Sequence, residues 1–122
     1  MLLTLALPRI HAMMAAATIE AVYVRAGDAL AVGAKVCDVT VDLSAVAAQD
    51  CPPISHFRLV LRERVWVREV AVAPGAEVAV GATLLRLTTT PDERIDGPAE
   101  REARVSIAGI LAQPEAWERA RA

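Results

Sequence analysis

The sequence contains two similar copies of one segment. Residues 19–40 return as residues 67–88 at a constant offset and without a gap. The run Ala-Val-Gly-Ala stands at the same place in both copies, at residues 31–34 and 79–82. A regular internal repeat is the sequence signature of an architecture built from equivalent units. Two copies are too few for a solenoid, so the repeat predicts the two halves of one closed domain.

Each copy has the pattern of two strands separated by glycine turns. Alternating, β-rich residues precede the first glycine of each copy, and a short strand is predicted after the second, at residues 35–41 and 83–89. Glycine relieves the steric cost of a positive φ angle where the chain reverses. The four glycines that mark these turns are Gly27, Gly33, Gly75 and Gly81.

Size and composition agree with a single small domain. The 122 residues suffice for one core and are too few for two. Hydrophobic residues make up 55% of the chain but aromatic residues only 3%, so the core must consist mainly of Val, Ala, Leu and Ile. A net charge of −2 with scattered arginines gives no basic field, and we therefore expect no nucleic-acid partner.

The N-terminal residues predict neither a signal peptide nor a membrane anchor. The apolar run over residues 1–7 has no basic region before it, and Pro8 and Arg9 end it early. No uncharged stretch approaches the roughly 20 residues that span a bilayer. Cys37 and Cys51 have no Cys-x-x-Cys spacing and are compatible with reduced thiols. We expect a soluble, cytoplasmic protein with no membrane partner.

The order of these motifs resembles that of a known family. Pro8, the Thr-Ile-Glu at residues 18–20, Gly27-Asp28 and Gly33 follow the order found in the lipoyl and biotinyl carrier domains of 2-oxo acid dehydrogenases and carboxylases. The resemblance covers roughly residues 2–90, about the size of one such domain. It implies an all-β fold, a flattened pseudo-twofold barrel-sandwich hybrid of two antiparallel sheets.

The function of that family depends on one lysine at the tip of the hairpin that ends the first half. Carried onto this sequence, the aspartate of the motif matches Asp42, but the lysine position is Leu43. Leucine has no nucleophilic amine, so no amide to lipoate or biotin can form there. Lys35 is the only lysine, and its repeat equivalent, Thr83, begins a strand. The resemblance therefore implies a degenerate, non-lipoylated member without a cofactor.

The hairpin after Leu43 is enlarged. Its extra residues, 44–57, exceed the roughly two to five residues of a usual hairpin loop, and Phe57 begins an alternating strand. The loop is either a partner-binding element or an excursion packed on its own barrel. Three of its residues match no metal spacing, and we expect no metal site and no enzyme activity from them: Asp50, Cys51 and His56.

The composition changes after residue 90, which divides the chain into a barrel domain at residues 1–90 and a linker with an amphipathic helical tail at residues 91–122. Apolar side chains over residues 98–111 can line one helical face, although the alternation of residues 105–110 also permits a strand. Because the repeat already accounts for a barrel, docking is favoured over packing. The candidate anchors in loop and tail are Phe57, Ile107, Ile110, Leu111 and Trp117.

These observations predict a non-catalytic interaction or assembly module, with a protein partner or a second copy of the chain. A multienzyme system related to 2-oxo acid dehydrogenases or acyltransferases is implied by the resemblance alone. Two other functions stay open: a carrier modified at an atypical site such as Lys35, and an adaptor resembling the lipoyl-like parts of membrane-fusion proteins, which also lack the lysine. The absence of a signal sequence and of a long helical hairpin weighs against the adaptor.

Overall fold

The computed structural model describes residues 1–43 and 54–110. Over these two ranges the protein is all-β and contains no helix, and its strands form two five-stranded sheets. No helix long and apolar enough to cross a membrane therefore occurs in this part of the chain. The expected all-β class is confirmed for these residues.

The first sheet has the strand order β3-β6-β8-β1-β9 and the second has the order β10-β5-β4-β2-β7. Neighbouring strands run antiparallel, except that β9 lies parallel to β1. The strands in chain order are β1 Leu2–Ala6, β2 Ala16–Val22, β3 Ala29–Leu30, β4 Lys35–Asp42, β5 Ile54–Leu61, β6 Val65–Val70, β7 Glu77–Ala79, β8 Thr83–Thr88, β9 Arg101–Glu102 and β10 Val105–Ile110.

The strand pairing is the same in the two halves of the repeat. β2 pairs with β4 and β6 pairs with β8, and each pair has a register irregularity at equivalent positions, after Ile19 and after Val67. The short strand of each half pairs with a strand of the other half: β3 pairs with β6, and β7 pairs with β2. The two sheets therefore have equivalent strands in equivalent order, with β1–β4 corresponding to β5–β8.

The turns follow the glycine pattern of the sequence. The φ angles are 98° at Gly27 and 90° at its equivalent Gly75, and 93° at Gly33 and 89° at its equivalent Gly81. Residues with a Cβ atom rarely adopt such angles, which explains why glycine stands at all four places. The prediction of paired glycine turns is confirmed.

The core lies between the inward faces of the two sheets and is aliphatic, as the low aromatic content predicts. Complete burial of one such Leu, Ile or Val side chain stabilises the fold by about 1.5–3 kcal/mol. The core side chains with no exposed surface come from both sheets and from both halves of the repeat: Leu3, Ile19, Val39, Leu59, Leu61, Val65, Val67, Leu84 and Leu87.

The last described residues are strands that extend both sheets. β9 pairs with β1, and β10 pairs with β5 from Val105 opposite Leu61 to Ile110 opposite His56. Residues 98–110 contain no helix, so the helix predicted over residues 98–111 is wrong for them. The alternative, a strand at residues 105–110, is observed. Residues 111–122 lie outside the described part of the chain.

Two properties of this segment explain the correction. Without β10, β5 would be the edge strand of its sheet, with unpaired backbone groups along its length. A strand at residues 105–110 can form hydrogen bonds with these groups, whereas a helix cannot. Val105, Ile107 and Ile110 are β-branched, and Gly109 would destabilise a helix by about 1 kcal/mol relative to alanine. The helical spacing of the apolar residues was compatible with either structure, and the neighbouring strand decides between them.

Candidate functional site

Leu43, the position to which the resemblance assigns the attachment lysine, directly follows β4. Asp42 is the exposed last residue of this strand, whereas Leu43 is 5% exposed and belongs to the hydrophobic core. An attachment lysine has to reach a modifying enzyme and therefore needs exposure, so a core position is unsuitable. Both the chemistry and the burial of Leu43 are unlike those of an attachment site.

Lys35 begins β4 and lies at the opposite end of this strand from Leu43. It is exposed, and its Nζ atom lies 4.8 Å from the centroid of the Tyr23 ring. A cation above an aromatic face is attracted by the electron density of the ring, and at exposed sites this contact is worth about 0.5–1 kcal/mol. The contact holds the Lys35 side chain against the surface of the second sheet.

Beside Lys35, an ion pair joins β4 and β5. Register places Asp38 opposite Arg58, whose Nε and Nη2 donate to the carboxylate at 2.7 Å and 3.0 Å. The Tyr23 hydroxyl donates to the same carboxylate at 2.5 Å. Burial raises the pKa of Asp38, but the hydrogen bonds from Arg58 and Tyr23 and the nearby positive charges outweigh it and hold this pKa below its usual value. These charges are paired with one another, which is typical of a structural network.

His56, the one described member of the candidate ligands in the loop, is also held by neighbours. Its Nδ1 atom lies 3.0 Å from the hydroxyl of Thr40, which in turn donates to Glu20 at 2.8 Å. Because that hydroxyl has a single proton, Thr40 must accept from Nδ1 of His56. Residues 50 and 51 lie outside the described ranges. Within the described ranges, no three His, Cys, Asp or Glu residues form a group that could hold a metal ion.

A half-buried carboxylate, that of Glu63, fixes the connection between β9 and β10. Glu63 accepts two hydrogen bonds from the guanidinium of Arg101, at 2.7 Å and 2.8 Å, and a third from the backbone amide of Arg104 at 2.6 Å. The bonds from Arg101 lower the pKa of Glu63 to about 2, against the opposing effect of burial, with a further contribution from the Arg104 amide. Sequence reasoning missed this contact, because these residues are far apart in the chain.

β10 is unlike the other sheet edges. The edge strands β3 and β9 have two residues each, and β7 has three. Both β7 and β9 include charged residues. β10 has six residues, none of them charged. Proteins usually protect sheet edges by short strands, charges or prolines, because an uncovered edge is a template for another strand. Among the described strands, β10 is the one edge without such protection.

The candidate anchors are distributed unevenly over this region. Phe57 is half-buried and packs against the core, between Val39 and Gly109 in the sheet register. Ile107 lies opposite Leu59 and is 39% exposed, although Leu59 itself is completely buried. Ile110 is half-buried at the end of β10. The other two anchors, Leu111 and Trp117, lie outside the described residues.

Comparison of the chain with protein-family models, with curated proteins and with solved structures found no match. The resemblance to carrier domains therefore depends on the sequence motifs.

Proposed function

We propose that this protein is a non-catalytic, lipoyl-like interaction or assembly module that carries no prosthetic group. The observation that carries the proposal is β10, a six-residue uncharged edge strand with the apolar side chain of Ile107 exposed. Strand addition at such an edge is a general mode of protein recognition, in which the backbone supplies affinity and alternate side chains supply specificity.

Two further observations support a module without a carrier function. Leu43 fills the attachment position with a buried side chain, and Lys35 lies at the far end of β4 against Tyr23. The repeated glycine turns and the equivalent strand pairings of the two halves support the pseudo-twofold arrangement that the resemblance implies. By resemblance, the setting is a multienzyme complex related to 2-oxo acid dehydrogenases or acyltransferases.

Intact-mass spectrometry of the protein purified from its own host tests the absence of a prosthetic group. We expect the mass of the unmodified chain, because leucine cannot form the amide. A lipoyl or biotinyl adduct mapped to Lys35 would establish the carrier function and refute the proposal.

Co-purification tests the interaction function. The tagged protein should retain one identified protein, or untagged copies of itself, at a fixed ratio. Ile107→Glu should abolish this retention, whereas the matched control Ala108→Glu, in the neighbouring exposed position of the same strand and opposite Arg58, should preserve it. Equal loss in both variants, or in neither, would show that the β10 edge is not the binding element.

A further inference from the structure

We propose that the partner of β10 is β10 of a second copy of the chain, paired antiparallel about a twofold axis at Ile107. This inference depends on the proposed function, since it names the partner of the same edge. It rests on the direction of the backbone groups of β10, on the side chains that the pairing brings together and on the distribution of charge.

The direction of the backbone groups follows from the ladder between β5 and β10. The amide of Arg62 donates at 2.9 Å to the carbonyl of Arg104, one step beyond the paired residues Leu61 and Val105. In an antiparallel ladder, residues whose backbone groups bond to the neighbouring strand alternate with residues whose groups point away from it. Since Arg104 bonds to β5, the even-numbered residues of β10 do so as well. The backbone groups that point from β10 to the open edge are therefore those of Val105, Ile107 and Gly109.

These three residues are spaced symmetrically about Ile107. When two β10 strands run antiparallel, Ile107 lies opposite Ile107 of the second copy, and Val105 lies opposite Gly109 in both directions. Each of these pairs can exchange two N–H to C=O hydrogen bonds. One register therefore satisfies the outward backbone groups of both strands and extends the two sheets into one.

The side chains fit the same register. Ile107 projects on the core side of the sheet, since it lies opposite the buried Leu59, and its exposed surface would meet that of its copy across a Cα separation of about 5.5 Å. Gly109 has no atom within 4 Å of an added Cβ, so the space beside it accommodates Val105 of the second copy. The contact is isologous, as a twofold dimer requires.

The distribution of charge favours a second copy of β10 as the partner strand. β10 has no charged residue, so no like charges meet within the paired strands. The nearest charged residue before it, Arg104, would lie opposite Ile110 of the second copy and away from its own equivalent. Like charges placed directly opposite each other would destabilise the pair. The other edges cannot pair in this way over a comparable length, because they have only two or three residues.

Sedimentation of the purified full-length chain over a wide concentration range tests the proposal. A single pair of edge strands buries less than a standard interface of about 1,600 Å², so we expect a reversible dimer with a Kd on the order of micromolar to tens of micromolar. Ile107→Lys and Ile107→Glu should each be monomeric, because the twofold axis sets identical charges opposite each other. An equal mixture of these two variants should restore a heterodimer.

Ala108→Glu is the control, because residue 108 lies opposite Ser106 of the second copy and its new charge is opposite to that of Arg58, its neighbour on β5. It should dimerise as the wild type does. Thermal unfolding at low concentration checks that the variants remain folded. Recovery of the heterodimer shows the register directly and requires both variants to be folded.

Four results would overturn the inference. These are a wild-type chain that is monomeric at all concentrations, a dimer that survives Ile107→Lys, a mixture that forms no heterodimer, and slow hydrogen exchange of the Val105, Ile107 and Gly109 amides in a monomer. The last would show that another part of the same chain covers the edge. A monomer that still binds a different protein through Ile107 would leave the proposed function intact, whereas an adduct on Lys35 would refute that function without affecting the dimer.

Discussion

The backbone amide of Gly27 donates a hydrogen bond of 2.7 Å to the carbonyl of Val67. The equivalent glycine of the second half, Gly75, donates at the same distance to Ile19, which is the equivalent of Val67. Each turn is thus fixed by a strand of the other half. The repeat therefore builds one domain whose halves depend on each other.

Replacement of either glycine should have the same cost. Gly27→Ala and Gly75→Ala meet no atom within 4 Å of the new Cβ, so the penalty is the strained positive φ angle alone, about 1–2 kcal/mol in each case. Chemical denaturation measures it. Gly109→Ala is the control, because Gly109 has equal space without a positive φ. At a protein concentration where the chain is monomeric, it should be neutral or slightly stabilising. Clearly unequal losses for the two turns would contradict the equivalence of the halves.

Loss of the Glu63 carboxylate should destabilise the fold at neutral pH. Glu63→Gln weakens two hydrogen bonds from Arg101, and we expect a decrease of about 1–2 kcal/mol in the free energy of unfolding, since Arg101 is 34% exposed and partly screened. Glu69→Gln is the matched control, because the carboxylate of Glu69 lies 3.9 Å from Arg86 and is 49% exposed, and it should change the stability little.

The effect of Glu63 should depend on pH in a defined direction. Its pKa is lowered from 4.5 to about 2 in the folded protein. The carboxylate therefore stabilises the fold fully above about pH 4.5, and this contribution is lost as the pH falls towards 2. Unfolding measured from pH 7 to pH 2 should show the wild type and Glu63→Gln converging. A difference that stays constant over this range would mean that the ion pair is not its origin.

The thiol of Cys37 should be unreactive in the folded protein. Burial, and then the negative charge of Asp38, raise its pKa to about 12, and the side chain is 1% exposed. Since the thiolate is the reactive form, labelling should require unfolding. In a Cys51→Ser background at pH 8, alkylation should follow the unfolding rate as denaturant is added. Rapid labelling without denaturant would contradict the burial of this strand.

The sequence predicted the repeated part of the fold well, because its determinants are local. Gly27 and Gly75 have the turn angles that only glycine adopts readily, and the alternation around them marks the strands. Leu43 could also be recognised from the motif as a position without an amine. These features require no knowledge of which strands become neighbours.

The tail and the polar contacts could not be predicted in the same way. Ile107 fits both a helical face and an alternating strand. The strand forms because the segment can pair with β5. The contact between Glu63 and Arg101 joins residues that are distant in the chain, and the pairing of Asp38 with Arg58 depends on the register of β4 and β5. No spacing rule connects such partners until the sheets are formed.

Native mass spectrometry of the protein isolated from its own host tests the central claim most directly, because one spectrum reports both covalent modification and assembly. We predict a chain of unmodified mass in a non-covalent dimer, which becomes monomeric in Ile107→Glu and persists in Ala108→Glu. A chain that bears a lipoyl or biotinyl group on Lys35 and remains monomeric at every concentration would contradict the account.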